Sequence, residues 1–375
     1  MSIKKYKLNM ILLSCLFAVP LCGCGSKIVP KKEDDYLYSF TLKDYEEHLF
    51  PDTSGGIFTG GCSSIRNGNL YGRNLDLTYC DSPEFVIRVK AAPGRFSSIG
   101  LCADPVITSD VSEMTQKELL SMPNITNDGI NENGVIISCN VVDTTGVDDM
   151  TGTAPGKPAV HAAHVVRYLL DRAASAENAV ELLKDIDIQG GFSGYGLHWM
   201  IADENDTFTA EIINNSLVVT KNSDFCMTNF YLHYGPRVKE QEIAGSIFYD
   251  FPLLTDYSIG VERYQILKDL YSGACSPEGM KAALMSTACA NEYDTETSPA
   301  WYSELCGGEL TIKSPADELS RALDYQRELY YERDRKAPNG SWITWHSSIY
   351  SIKERTLTLF SQENWDKEHC FSLYE

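Results

Sequence analysis

Two features that would point to common classes of function are scarce in this sequence. Basic residues are outnumbered, 32 Lys and Arg against 52 Asp and Glu, so the formal charge is −20. A surface this acidic repels phosphate backbones, which argues against nucleic-acid binding. The 12 cysteines contain no CxxC pair or zinc-type spacing. This spacing indicates neither a metal site nor a small disulfide scaffold. We also predict no cofactor.

A long apolar run is also missing at the N-terminus. The run from Met10 to Leu21 has twelve residues, whereas a transmembrane helix needs about 20. Lysines precede it and small residues follow it, which is typical of an export signal. Residues 21–24 are similar to a bacterial lipoprotein box, and a plain secretory signal is the alternative. We expect residues 1–24 to be a signal peptide and the protein to be exported, either extracellular or attached to the cell membrane only through a lipid anchor at Cys24.

The rest of the sequence alternates strand patterns with helical ones. The Asn-Gly turn at residues 66–69 predicts a hairpin, because Asn and Gly tolerate positive φ. Helical periodicity from about Ala159 to Leu183, with Ser175 as a cap, predicts two consecutive helices. A second hairpin is expected at residues 341–360. Strands before and after the helices predict a mixed sheet with helices packed on it, an α+β arrangement.

The first hairpin carries the residues with the clearest chemistry. Residues 60–64 include Cys62, and residues 72–76 include Arg73 and Asp76. Across a hairpin these segments can lie side by side, so that a cation and a carboxylate lie close to a thiol. A neighbouring cation favours the nucleophilic thiolate. The residues alone leave two interpretations open, a supported nucleophile or a turn with a surface salt bridge.

The segment from Cys62 to Asp76 resembles the first block of the choloylglycine hydrolase family, which includes bile salt hydrolases and penicillin V acylases. Four later segments resemble further blocks of this family in the same order: residues 128–134 with Cys139-Asn140, residues 196–203, residues 227–229, and residues 262–264. Five ordered blocks are harder to obtain by chance than one. The resemblance implies a four-layer αββα sandwich of the N-terminal-nucleophile hydrolases, formed by residues 62–375.

The resemblance also implies a reaction. Cys62 would attack the carbonyl of a small N-acyl amide, such as a conjugated bile salt, and form a thioester. Its own α-amine would act as the general base. The other matched residues would support this chemistry as follows: Arg73 favours the thiolate, Asp76 orients the α-amine, Asn140 and Asn229 donate hydrogen bonds to the oxyanion, and Arg263 completes the polar network.

This chemistry requires a cut within the chain. Cys62 has an α-amine only if the Gly61–Cys62 bond is cleaved, so residues 25–61 are expected to be a tether and propeptide. The glycines before Cys62 leave the preceding carbonyl accessible to its thiol, which favours self-cleavage. Two other functions stay open at this point, a non-enzymatic solute-binding lipoprotein of the same fold and an acyltransferase. The sequence also leaves open whether the protein is a homo-oligomer.

Overall fold

A computed structural model describes residues 27–45, 47, 62–78, 82–103, 110–143, 152–190, 195–233, 261–288 and 342–375. The strands of these residues, in chain order, are β1 (Lys31–Lys32), β2 (Leu37–Leu42), β3 (Cys62–Asn67), β4 (Leu70–Thr78), β5 (Glu84–Val89), β6 (Ser98–Ala103), β7 (Asp128–Asn131), β8 (Ile136–Asp143), β9 (Ala159–His161), β10 (Asp187–Gln189), β11 (Tyr195–Ala202), β12 (Thr207–Ile213), β13 (Ser216–Lys221), β14 (Cys226–Met227), β15 (Trp342–Ser351), β16 (Thr356–Ser361) and β17 (His369–Ser372). The α-helices are α1 (Gln116–Ser121), α2 (Val165–Arg172), α3 (Ala176–Lys184), α4 (Val261–Leu270) and α5 (Pro277–Ser286).

Most of the described strands belong to two sheets. The larger sheet has the order β1-β2-β5-β6-β7-β8-β11-β12-β13. Its neighbours are antiparallel except for β2 and β5, which are parallel. The smaller sheet is antiparallel throughout and has the order β14-β3-β4-β15-β16-β17. Strands β9 and β10 form a separate parallel pair.

The two sheets pack face to face, with helices on both outer sides. The core between the sheets contains side chains such as Leu101 and Ile136 from the larger sheet and Tyr350 and Leu357 from the smaller one. Helices α2 and α3 pack on the outer face of the larger sheet. Helices α4 and α5 pack on the outer face of the smaller sheet. The predicted α+β class and the four-layer αββα sandwich are therefore confirmed.

Alternation along the strands produces these layers. On β8, Ile137 and Val141 face helices α2 and α3, whereas Ile136 between the sheets faces the opposite way. Successive side chains of a strand point to opposite faces of the sheet, so alternate residues of β8 contact the helices and the smaller sheet. Strand β8 is consequently covered by helices on one face and by the smaller sheet on the other.

The turn predictions are confirmed where the structure describes them. Gly68 has a φ of 56° between β3 and β4. Strands β15 and β16 pair as the second hairpin, although residue 341 lies outside the described residues. Ser175 caps α3, and its side chain accepts a hydrogen bond from the Asn178 backbone N–H.

The predicted helix start at Ala159 was wrong. Residues 159–161 form β9, which pairs with β10, and a short 3-10 turn separates β9 from the start of α2 at Val165. The partner strand begins at Asp187, far along the chain, so a local hydrophobic period cannot reveal the pairing. Tertiary hydrogen bonding has overridden local helical periodicity here.

Part of the segment that is predicted to be a tether and propeptide forms β-strands. Its residues 31–32 and 37–42 form β1 and β2, at one edge of the larger sheet. None of the helices in the described ranges is long and apolar enough to cross a membrane.

We expect Gly129→Ala to destabilise the sandwich. A Cβ at this position of β7 would collide with the Ile99 carbonyl oxygen and lie 2.8 Å from Leu170 Cδ1 of α2. Forcing an extra carbon into a packed interior costs about 1–3 kcal/mol. Urea unfolding should show a lower midpoint for this variant. Gly273→Ala is the control, because its Cβ would meet only the Leu270 carbonyl oxygen at 3.5 Å; equal midpoints for both variants would contradict the expected close packing.

Candidate active site

The β3–β4 hairpin places Cys62 beside Arg73. In the register of this hairpin Arg73 pairs with Ser64, two residues after Cys62. Arg73 Nη2 lies 3.8 Å from Cys62 Sγ, and both residues are buried. Burial raises the pKa of the Cys62 thiol, and Arg73 opposes this shift. The resting thiol is therefore protonated at neutral pH, while the guanidinium lowers the cost of forming a thiolate.

The backbone nitrogen of Cys62 has its own partner. It donates a hydrogen bond to Asn229 Oδ1 at 2.8 Å. Asn229 follows β14, and that strand pairs with β3 through Met227 and Ser64. Asn229 Nδ2 in turn donates to the Val141 carbonyl at 2.8 Å. The asparagine side chain thus joins the start of β3 to the strand β8 of the opposite sheet.

Asp76 and Arg263 extend this group of contacts. Arg263 lies on α4 and donates to Asp76 Oδ2 at 2.7 Å and to Asn229 Oδ1 at 2.6 Å. Thr344 Oγ1 donates to Asp76 Oδ1 at 2.7 Å. Burial raises the pKa of Asp76 to about 7, although Arg263 and Thr344 oppose the shift. Asp76 is therefore a buried carboxyl group that gains and loses its proton near neutral pH.

Arg73 is held from the opposite sheet. Its Nη1 forms a buried ion pair with Asp128 Oδ1 on β7, and its Nη2 donates to the Cys139 carbonyl on β8 at 2.6 Å. Burial opposes ionisation of Asp128, but Arg73 and then His346 outweigh it and hold the pKa of this carboxyl well below its usual range. The cation beside the thiol is consequently fixed and paired.

Asp128 is the centre of a larger polar cluster. His346 Nε2 lies 3.1 Å from Asp128 Oδ1, and its Nδ1 forms an ion pair with Glu84 on β5. Ser348 and Tyr350 donate to Asp128 Oδ2 at 3.0 and 2.7 Å. Burial lowers the pKa of His346, but the two carboxylates raise it to about 9 overall. His346 is therefore an imidazolium at neutral pH.

Asn140 lies next to this cluster on β8. Its Nδ2 donates to the Thr228 carbonyl at 3.1 Å and makes a longer contact of 3.4 Å with the Met227 carbonyl. In the described part of the chain its Oδ1 has no hydrogen-bond partner. Asn140 and Asn229 thus connect β8 with the segment after β14, directly beside Cys62.

The structure brings the predicted site residues together. Cys62 contacts Arg73 and Asn229 directly, Arg263 links Asn229 to Asp76, and Asn140 adjoins them through residues 227–228. Within the described ranges no group of three or more His, Cys, Asp or Glu side chains could hold a metal ion. The arrangement joins a thiol, a cation, a titratable carboxyl group and two amides around one sulfur atom and one backbone nitrogen.

Sequence reasoning missed several members of this site: Glu84, Asp128, Thr344 and His346. One signal was available in β15. Polar side chains recur there at every second position from His346 to Tyr350, which in a strand places them on one face. The register shifts between Thr344 and His346, so Thr344 pairs with Asp76 instead. Asp128 belongs to a block that resembles the family, but it was given no role.

Part of the chain matches a known protein family. Residues 62–234 match the family model described as linear amide C-N hydrolases, choloylglycine hydrolase family. A search of curated proteins gives no match. Among solved structures, a variant of the conjugated bile acid hydrolase from Clostridium perfringens has a TM-score of 0.51 at 13% identity, over 84% of this chain and 92% of that chain. This similarity supports the shared fold.

Two further structures align less well. A second variant of the Clostridium perfringens enzyme has a TM-score of 0.44 at 12% identity, over 84% of this chain and 92% of that chain. Penicillin V acylase from Agrobacterium tumefaciens has a TM-score of 0.38 at 13% identity, over 80% of this chain and 82% of that chain. Residues 62–234 are thus similar to the linear amide C–N hydrolases of the choloylglycine hydrolase family.

Proposed function

We propose that Cys62 is the nucleophile of this hydrolase and that it becomes the first residue of the mature catalytic chain by self-cleavage at Gly61–Cys62. The observation that carries the proposal is the position of Cys62. Its thiol lies beside Arg73, and its backbone nitrogen is bound by Asn229 within the Asp76–Arg263 group. A buried cysteine with a purely structural role does not need a guanidinium beside its sulfur.

After the cut, the nitrogen of Cys62 is an α-amine with a pKa of about 7.7–8.0. In the neutral form it takes the thiol proton as sulfur attacks the amide carbonyl carbon. The C–N bond then breaks, the leaving amine receives that proton, and the acyl group stays on sulfur as a thioester. Water, deprotonated by the same amine, attacks the thioester and releases the carboxylic acid and the free thiol.

The oxyanion formed in each attack needs hydrogen-bond donors. We assign this role to the side-chain amides of Asn140 on β8 and Asn229, which follows β14. Asn229 contacts the Cys62 backbone nitrogen, and Asn140 contacts the carbonyl of the preceding residue, Thr228. In the structure Asn229 Nδ2 donates to the Val141 carbonyl, and Asn140 Nδ2 donates to the Thr228 carbonyl and makes the longer contact with the Met227 carbonyl. The oxyanion would take the place of one of these acceptors at each amide. Removing one oxyanion donor typically raises the barrier by about 3 kcal/mol.

Self-cleavage must use a different base, because the uncut chain has no α-amine at Cys62. Asp76 fits this role, since it is buried in the same group and its pKa is about 7. Its carboxylate accepts the thiol proton while sulfur attacks the Gly61 carbonyl. The peptide C–N bond breaks, the nitrogen of Cys62 takes up the proton, and water hydrolyses the thioester to leave a carboxylate on Gly61.

The proposed substrate class is a linear, non-peptide N-acyl amide of low molecular weight. The family description supports amide C–N cleavage, and the conjugated bile acid hydrolase that shares the fold makes conjugated bile salts the first candidates. A panel of glycine and taurine conjugates, phenoxyacetyl amides and N-acyl amines would identify the preferred acyl group. Addition of a free amine to the assay would reveal transfer to an acceptor other than water.

Cys62→Ala should abolish both self-cleavage and turnover, because it removes the only atom that forms the acyl-enzyme. Intact-mass measurement and product release would show one uncut chain without activity. Cys275→Ala is the matched control, since Cys275 is an exposed free cysteine and should leave both properties unchanged. Turnover by the Cys62→Ala protein would rule out the proposed nucleophile.

The rate of self-cleavage should rise with pH through about 7. Asp76 is protonated below its pKa of about 7 and becomes a carboxylate, the form that accepts a proton, above it. Below pH 7 the rate should therefore fall about tenfold per pH unit. Cleavage of freshly purified precursor, followed by mass spectrometry from pH 5 to 9, measures this profile.

Two variants test the assignment to Asp76. Asp76→Asn should cleave slowly and without an inflection near pH 7. Asp185→Asn, at an exposed position, should keep the wild-type profile. An unchanged inflection in the Asp76→Asn protein would assign the titration to another group.

Arg73→Gln should raise the pKa of the Cys62 thiol further. Loss of an adjacent opposite charge shifts a pKa by about 1–3 units, so alkylation of Cys62 by iodoacetamide should move to higher pH and kcat/KM should fall by about 10-fold or more. Arg66→Gln is the control, because Arg66 is a buried arginine of the same hairpin that donates to the carbonyls of Asp203 and Glu204. Equal alkylation profiles for the two variants would contradict the electrostatic role of Arg73.

A further inference from the structure

The segment that precedes the proposed cut is built into the fold of the catalytic domain. We propose that residues before Cys62 stay bound after cleavage, so that the mature enzyme is a complex of two chains in which β2 completes the larger sheet. This inference rests on the proposed self-cleavage. The part of the segment that the structure describes, residues 27–45 and residue 47, contacts three separate regions of the chain after Cys62.

The first set of contacts is a strand ladder. Strand β2 runs parallel to β5, from Leu37 opposite Glu84 to Leu42 opposite Val89. Further backbone hydrogen bonds extend the ladder at both ends, from Glu84 N–H to the Tyr36 carbonyl at 2.8 Å and from Lys90 N–H to the Leu42 carbonyl at 2.9 Å. Release of the segment would leave these groups of β5 on an unpaired edge.

The second set is apolar. Leu37 is fully buried in the core between the sheets. Phe40 and Leu42 are buried in a cluster with Phe85 of β5, and the rings of Phe40 and Phe85 meet edge to face at 5.8 Å. Departure of the segment would expose Phe85 and its apolar neighbours, and an exposed apolar edge strand favours aggregation.

The third set is polar and reaches helix α2 and the C-terminal region. Glu47 forms a two-point ion pair with Arg172, at 2.8 and 2.6 Å. The Tyr45 hydroxyl donates to buried Asp171, and Asp34 pairs with Lys367 at 2.9 Å. A tether that merely spans the distance to a membrane has no need of buried partners in the domain that it carries.

This docking has a direct connection to the active site. Glu84 pairs with Leu37 across the two strands, and its backbone N–H donates to the Tyr36 carbonyl. Its side-chain carboxylate forms the ion pair with His346. His346 in turn contacts Asp128, and Asp128 holds Arg73 beside the Cys62 thiol. The bound segment thus fixes the end of β5 from which this chain of contacts starts. Loss of the segment should lower activity as well as stability.

Retention also determines where the enzyme is found. If Cys24 carries the predicted lipid, a segment that stays docked keeps the catalytic chain at the membrane after the peptide bond is broken. A segment that dissociates would release the catalytic chain.

Purification of the full chain through a C-terminal affinity tag tests the proposal. Under native conditions the eluate should contain the chain that begins at Cys62 and, in equal amounts, a fragment that ends at Gly61. The two should separate only in denaturant, as shown by native and denaturing mass spectrometry. Cys62→Ala should give a single uncut chain, which provides the reference for the covalent state.

The possible outcomes distinguish this inference from the proposed function. A folded, active chain beginning at Cys62 and free of the fragment would overturn the inference and leave the nucleophile intact. A chain that turns over substrate while still joined at Gly61–Cys62 would overturn the proposed self-cleavage, and with it the two-chain complex.

A substitution within the segment tests the contacts themselves. Leu37→Asp would place a carboxylate in the buried core and should reduce the co-purified fragment at least tenfold, with a matching loss of activity. Val29→Asp, at a position 72% exposed in the same segment, should retain both. Should Leu37→Asp fail to fold, a urea titration of the cleaved wild-type complex decides: release of the fragment should coincide with loss of activity, and full activity after its release would contradict the proposal.

Discussion

The buried ion pair between Arg73 and Asp128 is the interaction on which the site depends. It joins β4 of the smaller sheet to β7 of the larger one, and it fixes the guanidinium 3.8 Å from Cys62 Sγ. Burying two charges is costly unless hydrogen bonds satisfy their remaining donors and acceptors. Here Ser348, Tyr350 and His346 supply them for Asp128. The sandwich therefore packs around a satisfied polar cluster at this point.

Burial explains why the Cys62 thiol is not a preformed thiolate, although a cation lies beside it. Two cations, Arg73 and His346, are matched by the carboxylates of Asp128 and Glu84. At the sulfur, burial outweighs Arg73, and the charge of Asp76 also opposes ionisation, so the pKa of Cys62 is raised. If Cys62 is the nucleophile, as proposed, its protonated thiol needs a base at the moment of attack. The Cys62 nitrogen after cleavage and Asp76 before it are the bases proposed for this step.

Both sheets and one outer helix layer contribute residues to the site. Strands β3, β4 and β15 carry residues of the site in the smaller sheet, β5, β7 and β8 carry their partners in the larger sheet, and α4 adds Arg263 from outside. Contacts that begin at β2, before the proposed cut, reach the same cluster through Glu84. A continuous chain of contacts therefore connects the N-terminal segment with the Cys62 sulfur.

The sequence by itself determined the local features and the ordered motifs. The Asn-Gly turn indicated the hairpin that joins Cys62 to Arg73, Ser175 indicated the start of α3, and the spaced blocks indicated the family and the αββα fold, because these signals lie within a few residues or in matched segments. Only the tertiary structure decided the rest. Residues from distant strands come into contact only when the sheets pack, so their spacing in the sequence could not show that Asp128 and His346 support Arg73. For the same reason the sequence could not show that residues 159–161 pair with β10, or that β2 pairs with β5.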